Sequence, residues 1–197
     1  MPDKYKQMIA TERLILSPQR RLKYFEPVIA FAVIAVAIIG VGLYGLTKSP
    51  DALSGILLSI SGMLLLAGYV YRHQTSGLRL KSIPTAFDRS SNRELARSAV
   101  DELGWITRRE NRDYLEAIVP SRTGIGRYAQ LVVLLFDTRK ILITSISQPD
   151  ISPVQGGWSF GKHKKNIKQF REMLAILSEE YTGAEATTNF GSVQDTT

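Results

Sequence analysis

The chain has 197 residues, 25 Lys and Arg against 18 Asp and Glu, a formal charge of +7 and no cysteine. Without a thiol there is no disulfide framework, no Cys-ligated zinc, no thiolate-held iron–sulfur cluster and no thiol catalysis. The excess of cations, with a pI near 9.7, suits anionic partners such as lipid headgroups, and basic flanks that set membrane topology account for it equally well.

In chain order, residues 1–23 form a basic N-terminal segment expected in the cytoplasm, with Arg13, Arg20, Arg21 and Lys23. Met8, Ile9, Leu14, Ile15 and Leu16 within it fit either a short interfacial helix or an added strand. Residues 27–47 and 52–71 are two uncharged, mostly apolar runs separated by Lys48, Ser49, Pro50 and Asp51. Each is about as long as a helix needs to cross a bilayer core, where every peptide group must be satisfied internally. The pattern predicts a two-helix transmembrane hairpin over 24–72. A cleaved signal fits less well, because the first run is longer than a signal's apolar region and a long basic segment precedes it. Core helices of a soluble protein fit less well, because they normally carry a charged face.

Lys and Arg near span ends stay on the cytoplasmic side. Arg72, Arg79 and Lys81 follow the second run as Arg13, Arg20, Arg21 and Lys23 precede the first. The expected location is therefore the inner membrane, multi-pass, with both termini cytoplasmic. Tyr24, Phe25, Tyr69 and Tyr71 suit an interfacial aromatic belt. Ser54, Ser61 and Gly68 recur every seven residues beside Gly55 and Gly62, a seam of small side chains where a helix backbone can approach. Its partner is either the first run, through Ala37 or Gly40, or a different molecule.

Residues 78–181 read as a cytoplasmic α+β domain with a single core. Leu78, Leu80 and Ile83 mark a strand ended by Pro84. Ser91-Asn92-Arg93-Glu94 has the form of a capping box, and Leu95, Ala96, Ala99, Val100 and Leu103 share a face of the helix that follows. Gly104 supplies its left-handed cap. Residues 105–109 and 114–119 read as a hairpin. Strands follow at 128–136 and 140–146, apolar on both faces and therefore central in the sheet. Ile167, Phe170, Leu174, Leu177 and Tyr181 recur at helical spacing. Strand, helix, four strands and helix predict an antiparallel sheet with two helices on one face. Residues 182–197 hold few large apolar side chains and are expected to be a disordered tail.

Chemistry is sparse. His73 and His163 are the two histidines, neither placed with a nucleophile or a metal-ligand set, so no catalytic residue, metal or cofactor is expected. Gly124-Ile125-Gly126 reads as a turn between strands. Lys162, Lys164 and Lys165 stand at the start of the last helix, beside Asn166. Lysines there oppose the helix dipole, so they gather an anion or lipid headgroup, or else simply point into water with Asn166 as a cap. Trp158 and Phe160 pack over the sheet or meet a membrane surface or partner.

The two strands from Leu131 to Ile146, followed by Phe160-Gly161-Lys162-His163-Lys164-Lys165-Asn166, resemble a pattern in small uncharacterised bacterial membrane proteins with a C-terminal α+β domain. The resemblance covers about a third of the chain and implies a bacterial origin and that domain type, with no activity attached. The functional expectation is a non-enzymatic membrane protein whose domain serves as an anchor, assembly factor or adaptor. Its partners are the lipid bilayer, anionic lipid, and another membrane protein or a cytoplasmic protein, with nucleic acid disfavoured. The alternative is an accessory subunit packed into a larger membrane complex through its helices. Transport is disfavoured, because the apolar runs lack ionisable groups apart from tyrosine phenols.

Overall fold

The computed structural model describes residues 2–46, 53–120, 130–147 and 162–191. The turn at 48–51, Gly124-Ile125-Gly126, the loop before the last helix with Trp158 and Phe160, and residues 192–197 lie outside them.

Five strands form one antiparallel sheet in the order β1-β5-β4-β3-β2. They are β1 (Lys81–Pro84), β2 (Ile106–Glu110), β3 (Tyr114–Val119), β4 (Gln130–Asp137) and β5 (Lys140–Ser147). The apolar run of β4 is buried on both sides from Gln130 to Phe136, as its place in the middle of the sheet requires. A two-residue turn joins it to β5, with Arg139 at φ +62°. Short hairpin turns of this kind need a left-handed residue to match the strand twist.

Helix α5 (Arg89–Glu102) connects β1 to β2, and α6 (Lys162–Gly191) closes the chain. Both pack on one face, where Ala96, Ala99, Val100 and Phe170 meet Val132, Leu134, Phe136, Ile141 and Ile143. Asp88 is the N-cap of α5, its Oδ1 accepting from the Ser91 amide at 2.8 Å. The capping box expected at Ser91 and Glu94 is thus displaced by one turn. The reason is Asn92, fully buried, whose Nδ2 donates to the Asp137 carbonyl at 2.9 Å and fixes the first turn against the β4–β5 hairpin. Gly104, at φ +66°, ends the helix with Trp105 N donating to Val100 O and Gly104 N to Asp101 O. These two bonds form the Schellman pattern.

The other sheet face is covered by the N-terminal segment, which the sequence left open between helix and strand. It contains both. Helix α1 (Pro2–Thr11) lies against β4, and Leu14 N donates to Leu78 O while Leu80 N donates to Glu12 O, making a short antiparallel bridge. Helix α2 (Pro18–Tyr24) follows, with Ser17 as N-cap. Met8, Leu14 and Tyr24 form the second core with Leu131, Val133, Leu135, Leu142 and Ile146.

The apolar runs fold as α3 (Glu26–Leu46) and α4 (Leu53–Gly77), packed on one another. Here the structure corrects the expected transmembrane hairpin. Among the described residues no single helix is long and apolar enough to cross a membrane, and the pair Pro18–Tyr24 with Glu26–Gly42, bent by 58°, alone has the length and composition of a broken span. One physical reason lies in the ends. The first apolar run is joined through Phe25 to a basic helix, and α4 continues into Arg72, Gln74 and Gly77, where Gln74 is buried in the domain. A second difference concerns the C-terminus, where α6 continues to Gly191 through residues expected to form a loose tail. Ala184, Glu185 and Ala186 are good helix formers and extend a helix already nucleated upstream.

Candidate functional site

Two features dominate the end of the molecule away from α5: the apolar surface of α3 and α4, and the polar junction where those helices join the domain. In α3, Ala35 and Gly42 are buried, seven residues apart, while Ala37 and Gly40 are exposed. Small side chains at Ala35 and Gly42 let the neighbouring backbone approach. The seam expected on the second run faces elsewhere. A Cβ built at Gly55, Gly62 or Gly68 meets no atom within 4 Å, and Ser61 is exposed, so α3 does not occupy it. The side chain of Ser54 lies outside the described residues.

Outward from the pair point Val33, Val36 and Val41 on α3 and Leu57, Leu58, Leu64 and Leu65 on α4, exposed by 56–76 %. Single exposed apolar residues are ordinary, but contiguous apolar surface over two helices is not.

At the root of the pair, α2, the end of α4 and the start of α6 converge. The Tyr24 hydroxyl donates to the Gln74 carbonyl at 3.0 Å. A Cβ at position 77 would come within 2.8 Å of that hydroxyl, so Gly77 is required by close approach. Burial pushes the Tyr24 phenol well above its usual range. Phe25 rests against Tyr71, ring centres 5.7 Å apart. Neighbouring residues of β5 hold the two sides together, since Thr144 Oγ1 donates to Gly77 O at 2.7 Å and Asn166 Nδ2 donates to Ser145 Oγ at 3.0 Å.

The sequence-predicted anion site is divided by this geometry. Asn166 is buried and bonded to β5, which makes it an anchor for α6, while Lys162, Lys164 and Lys165 are exposed. His163, between them, turns inward with Nδ1 unpartnered, and burial, then the nearby His73, lower its pKa to about 4. The α6 lysines therefore stand beside the end of α4. Arg21 and Lys23 on α2 and Arg72 on α4 are exposed at the same root. Exposed cations thus stand next in the chain to the residues that form this junction. Sequence reading missed the inner half of this junction, formed by Tyr24, Gln74, Gly77 and Thr144. Its one legible signal was a polar Gln-Thr-Ser-Gly end on an otherwise apolar helix.

Elsewhere, four arginines line a cleft of about 620 Å³ beside α5. Arg93 pairs with Glu110 at 2.7 Å and Arg89 with Asp113, which ties α5 to the β2–β3 hairpin. Among the described residues no group of His, Asp and Glu is arranged to hold a metal ion. The chain matches no known protein family, and no curated protein matches it.

Proposed function

We propose that this is a non-enzymatic, membrane-associated adaptor or assembly factor. The outward apolar faces of α3 and α4 associate with a membrane surface without crossing it, the basic residues at their base meet anionic headgroups, and the α+β domain is held at that surface to receive a protein partner. The observation that carries this reading is the exposed apolar surface of the helix pair, with Leu58 and Leu65 each 76 % exposed. Charge agrees with it, because Arg21, Lys23, Arg72, Lys164 and Lys165 are exposed and close in the chain to the residues at the base of that surface. Each cation near an anionic leaflet contributes roughly 1 kcal/mol and is screened by salt. The N-terminal segment and α6 pack on the two faces of one sheet, so they move as one body, and the basic residues favour a cytoplasmic membrane surface.

The test replaces Val36, Leu58 and Leu65 by Asp together. These positions are exposed, so the variant keeps its fold, whereas a charge on each opposes burial of the apolar face against acyl chains or an apolar partner. The parent protein is expected in the membrane fraction after a wash at low salt, and the variant in the soluble fraction. Release of the parent by the wash, or identical partition of both, overturns the reading. The second reading, an accessory subunit of a membrane complex, is favoured by the open stripe at Gly55, Gly62 and Gly68. Co-purification of a stoichiometric partner from gently solubilised membranes selects it.

A further inference from the structure

Strand β1 is an edge of the sheet, and its outer side is only partly used. Leu80 N donates to Glu12 O and Leu78 O accepts from Leu14 N, so Leu78 and Leu80 turn their peptide groups toward the N-terminal segment. Thr85 N donates to Arg139 O, so Lys81, Ile83 and Thr85 turn theirs toward β5 and its turn. Peptide groups alternate between the two edges of a strand, which leaves the N–H and C=O of Ser82 and the C=O of Pro84 pointing outward. Pro84 fits that assignment, because a proline in a sheet belongs where no ladder donor is needed. Among the described residues β5 is the one strand paired with β1, and nothing is paired with its outer side from Ser82 to Pro84.

Beside that edge lies an open groove of about 1100 Å³ between β1 and α6. Ile83, Pro84 and Phe87 line one side of it, and Leu174, Ala175 and Ser178 the other. Helix α6 runs along β1 in the same direction. Asn166 at its start bonds Ser145, two residues past the β5 partner of Lys81, and Tyr181 farther on meets Phe87, ring centres 5.4 Å apart. Arg171 therefore stands toward the start of β1 and Glu179 toward Phe87, and both line the groove. Both are exposed, and neither forms an ion pair among the described residues. Their spacing along the helix is about 12 Å. The four steps of a five-residue strand span about 13 Å, so one short extended segment reaches from the one charge to the other.

We infer that this groove takes an extended peptide of a partner protein, added antiparallel to β1, with a basic residue at its N-terminal end, an apolar residue in the middle and an acidic residue at its C-terminal end. A strand added to an open edge gains main-chain bonds, and a groove for alternate side chains supplies selectivity. The direction follows from the chain itself, because residues 12–14 already pair antiparallel along the same outer edge. An antiparallel guest starts near Phe87 and ends near Lys81, which brings its basic residue to Glu179 and its acidic residue to Arg171. The apolar residue between them lies on Leu174 and Ala175. This gives chemistry to the protein partner of the adaptor reading above and rests on that part of it. Peptide binding in detergent does not involve the outward faces of α3 and α4, so the membrane surface and the groove can each fail alone.

The experiment measures the fluorescence anisotropy of two labelled, end-blocked peptides, Lys-Thr-Phe-Thr-Asp and Asp-Thr-Phe-Thr-Lys, with the intact chain in neutral detergent. They share one composition and no net charge, and differ in the order of their charges. The first is expected to bind about tenfold tighter than the second, a difference of about 1.4 kcal/mol, and to lose that advantage as salt rises. Arg171→Glu together with Glu179→Arg exchanges the charges of the groove and reverses the preference, and since both positions are exposed the fold is kept. Ala175→Trp, also at an exposed position, fills the groove and weakens the first peptide about tenfold by a separate route. Absence of binding by both peptides, equal binding of the two, or a preference that survives the charge exchange overturns the proposal.

Discussion

The two faces of the sheet are built on the same strands and differ in kind. Toward α5 and α6, Val132, Leu134, Phe136, Ile141, Ile143 and Phe170 are wholly buried against each other. Toward α1 and α2 the strands supply equally apolar residues, but the cover is a bridge of short helices and extended chain. That cover leaves a partly open cleft of about 170 Å³ and a partly buried ion pair, Arg20 with Glu116. A face covered by two long helices can be close-packed, and close packing is where stability resides. A face covered by short pieces keeps a void beneath them.

Truncations measure that contrast most directly. Phe170→Ala removes a fully buried aromatic from between α6, Trp105 and the sheet, and is expected to cost about 3–5 kcal/mol in denaturant unfolding. Leu14→Ala, on the looser face, is expected to cost about 2 kcal/mol, at the low end for its type, because the adjacent cavity already lacks close packing. Equal losses would show that the two faces are packed alike.

A pH-dependent effect is expected at the start of α6. His163 has its pKa lowered from 6.5 to about 4 by burial, then by His73, so the fold holds it neutral. The unfolded chain takes up a proton below pH 6.5 and the folded chain only near pH 4. Stability is therefore fully present above pH 6.5 and is lost as pH falls from 6.5 toward 4, by at most about 3 kcal/mol. Melting temperature followed from pH 7 to pH 4 should fall more steeply in the parent than in His163→Gln. Parallel curves would mean that the imidazole is solvated and the junction is open to water.

Much of the first face was legible in the sequence, and little of the second. Alternating and continuous apolar runs mark β4 and β5, and Leu95, Ala96, Ala99 and Val100 mark the buried side of α5, because burial on one face imposes a period. The N-terminal cover has no such mark. Met8, Leu14 and Tyr24 are scattered over a helix, an extended bridge and a second helix, and what unites them is the sheet they cover. The hairpin over 24–72 went astray for a related reason. Apolar length alone does not show that α2 bends from α3 at Phe25, nor that α4 carries Gln74 into the domain. At the candidate site the exposed lysines were readable as charge. The burial of Asn166 and His163 was not, since it depends on which turn of α6 meets β5.

The smallest effect separates a local motif from the tertiary contact that overrides it. Ser91 and Glu94 have the spacing of a capping box, yet α5 begins at Asp88, which accepts from the Ser91 amide and from the Ser90 hydroxyl. Those bonds, the Ser91 amide foremost, hold the Asp88 carboxyl below its usual range. A depressed carboxylate stabilises the fold above its unfolded pKa, and that contribution disappears as pH falls through the folded value. Asp88→Ala should therefore lower the melting temperature at neutral pH, with the difference from the parent shrinking in strong acid. Ser91→Ala should change it less at every pH, because it removes only the side chain's contribution to Asp88 while the backbone amide, the larger one, remains. If Ser91→Ala proved the more damaging, the helix would start where the motif alone places it, and Asn92 would lose its role in setting the first turn against the sheet.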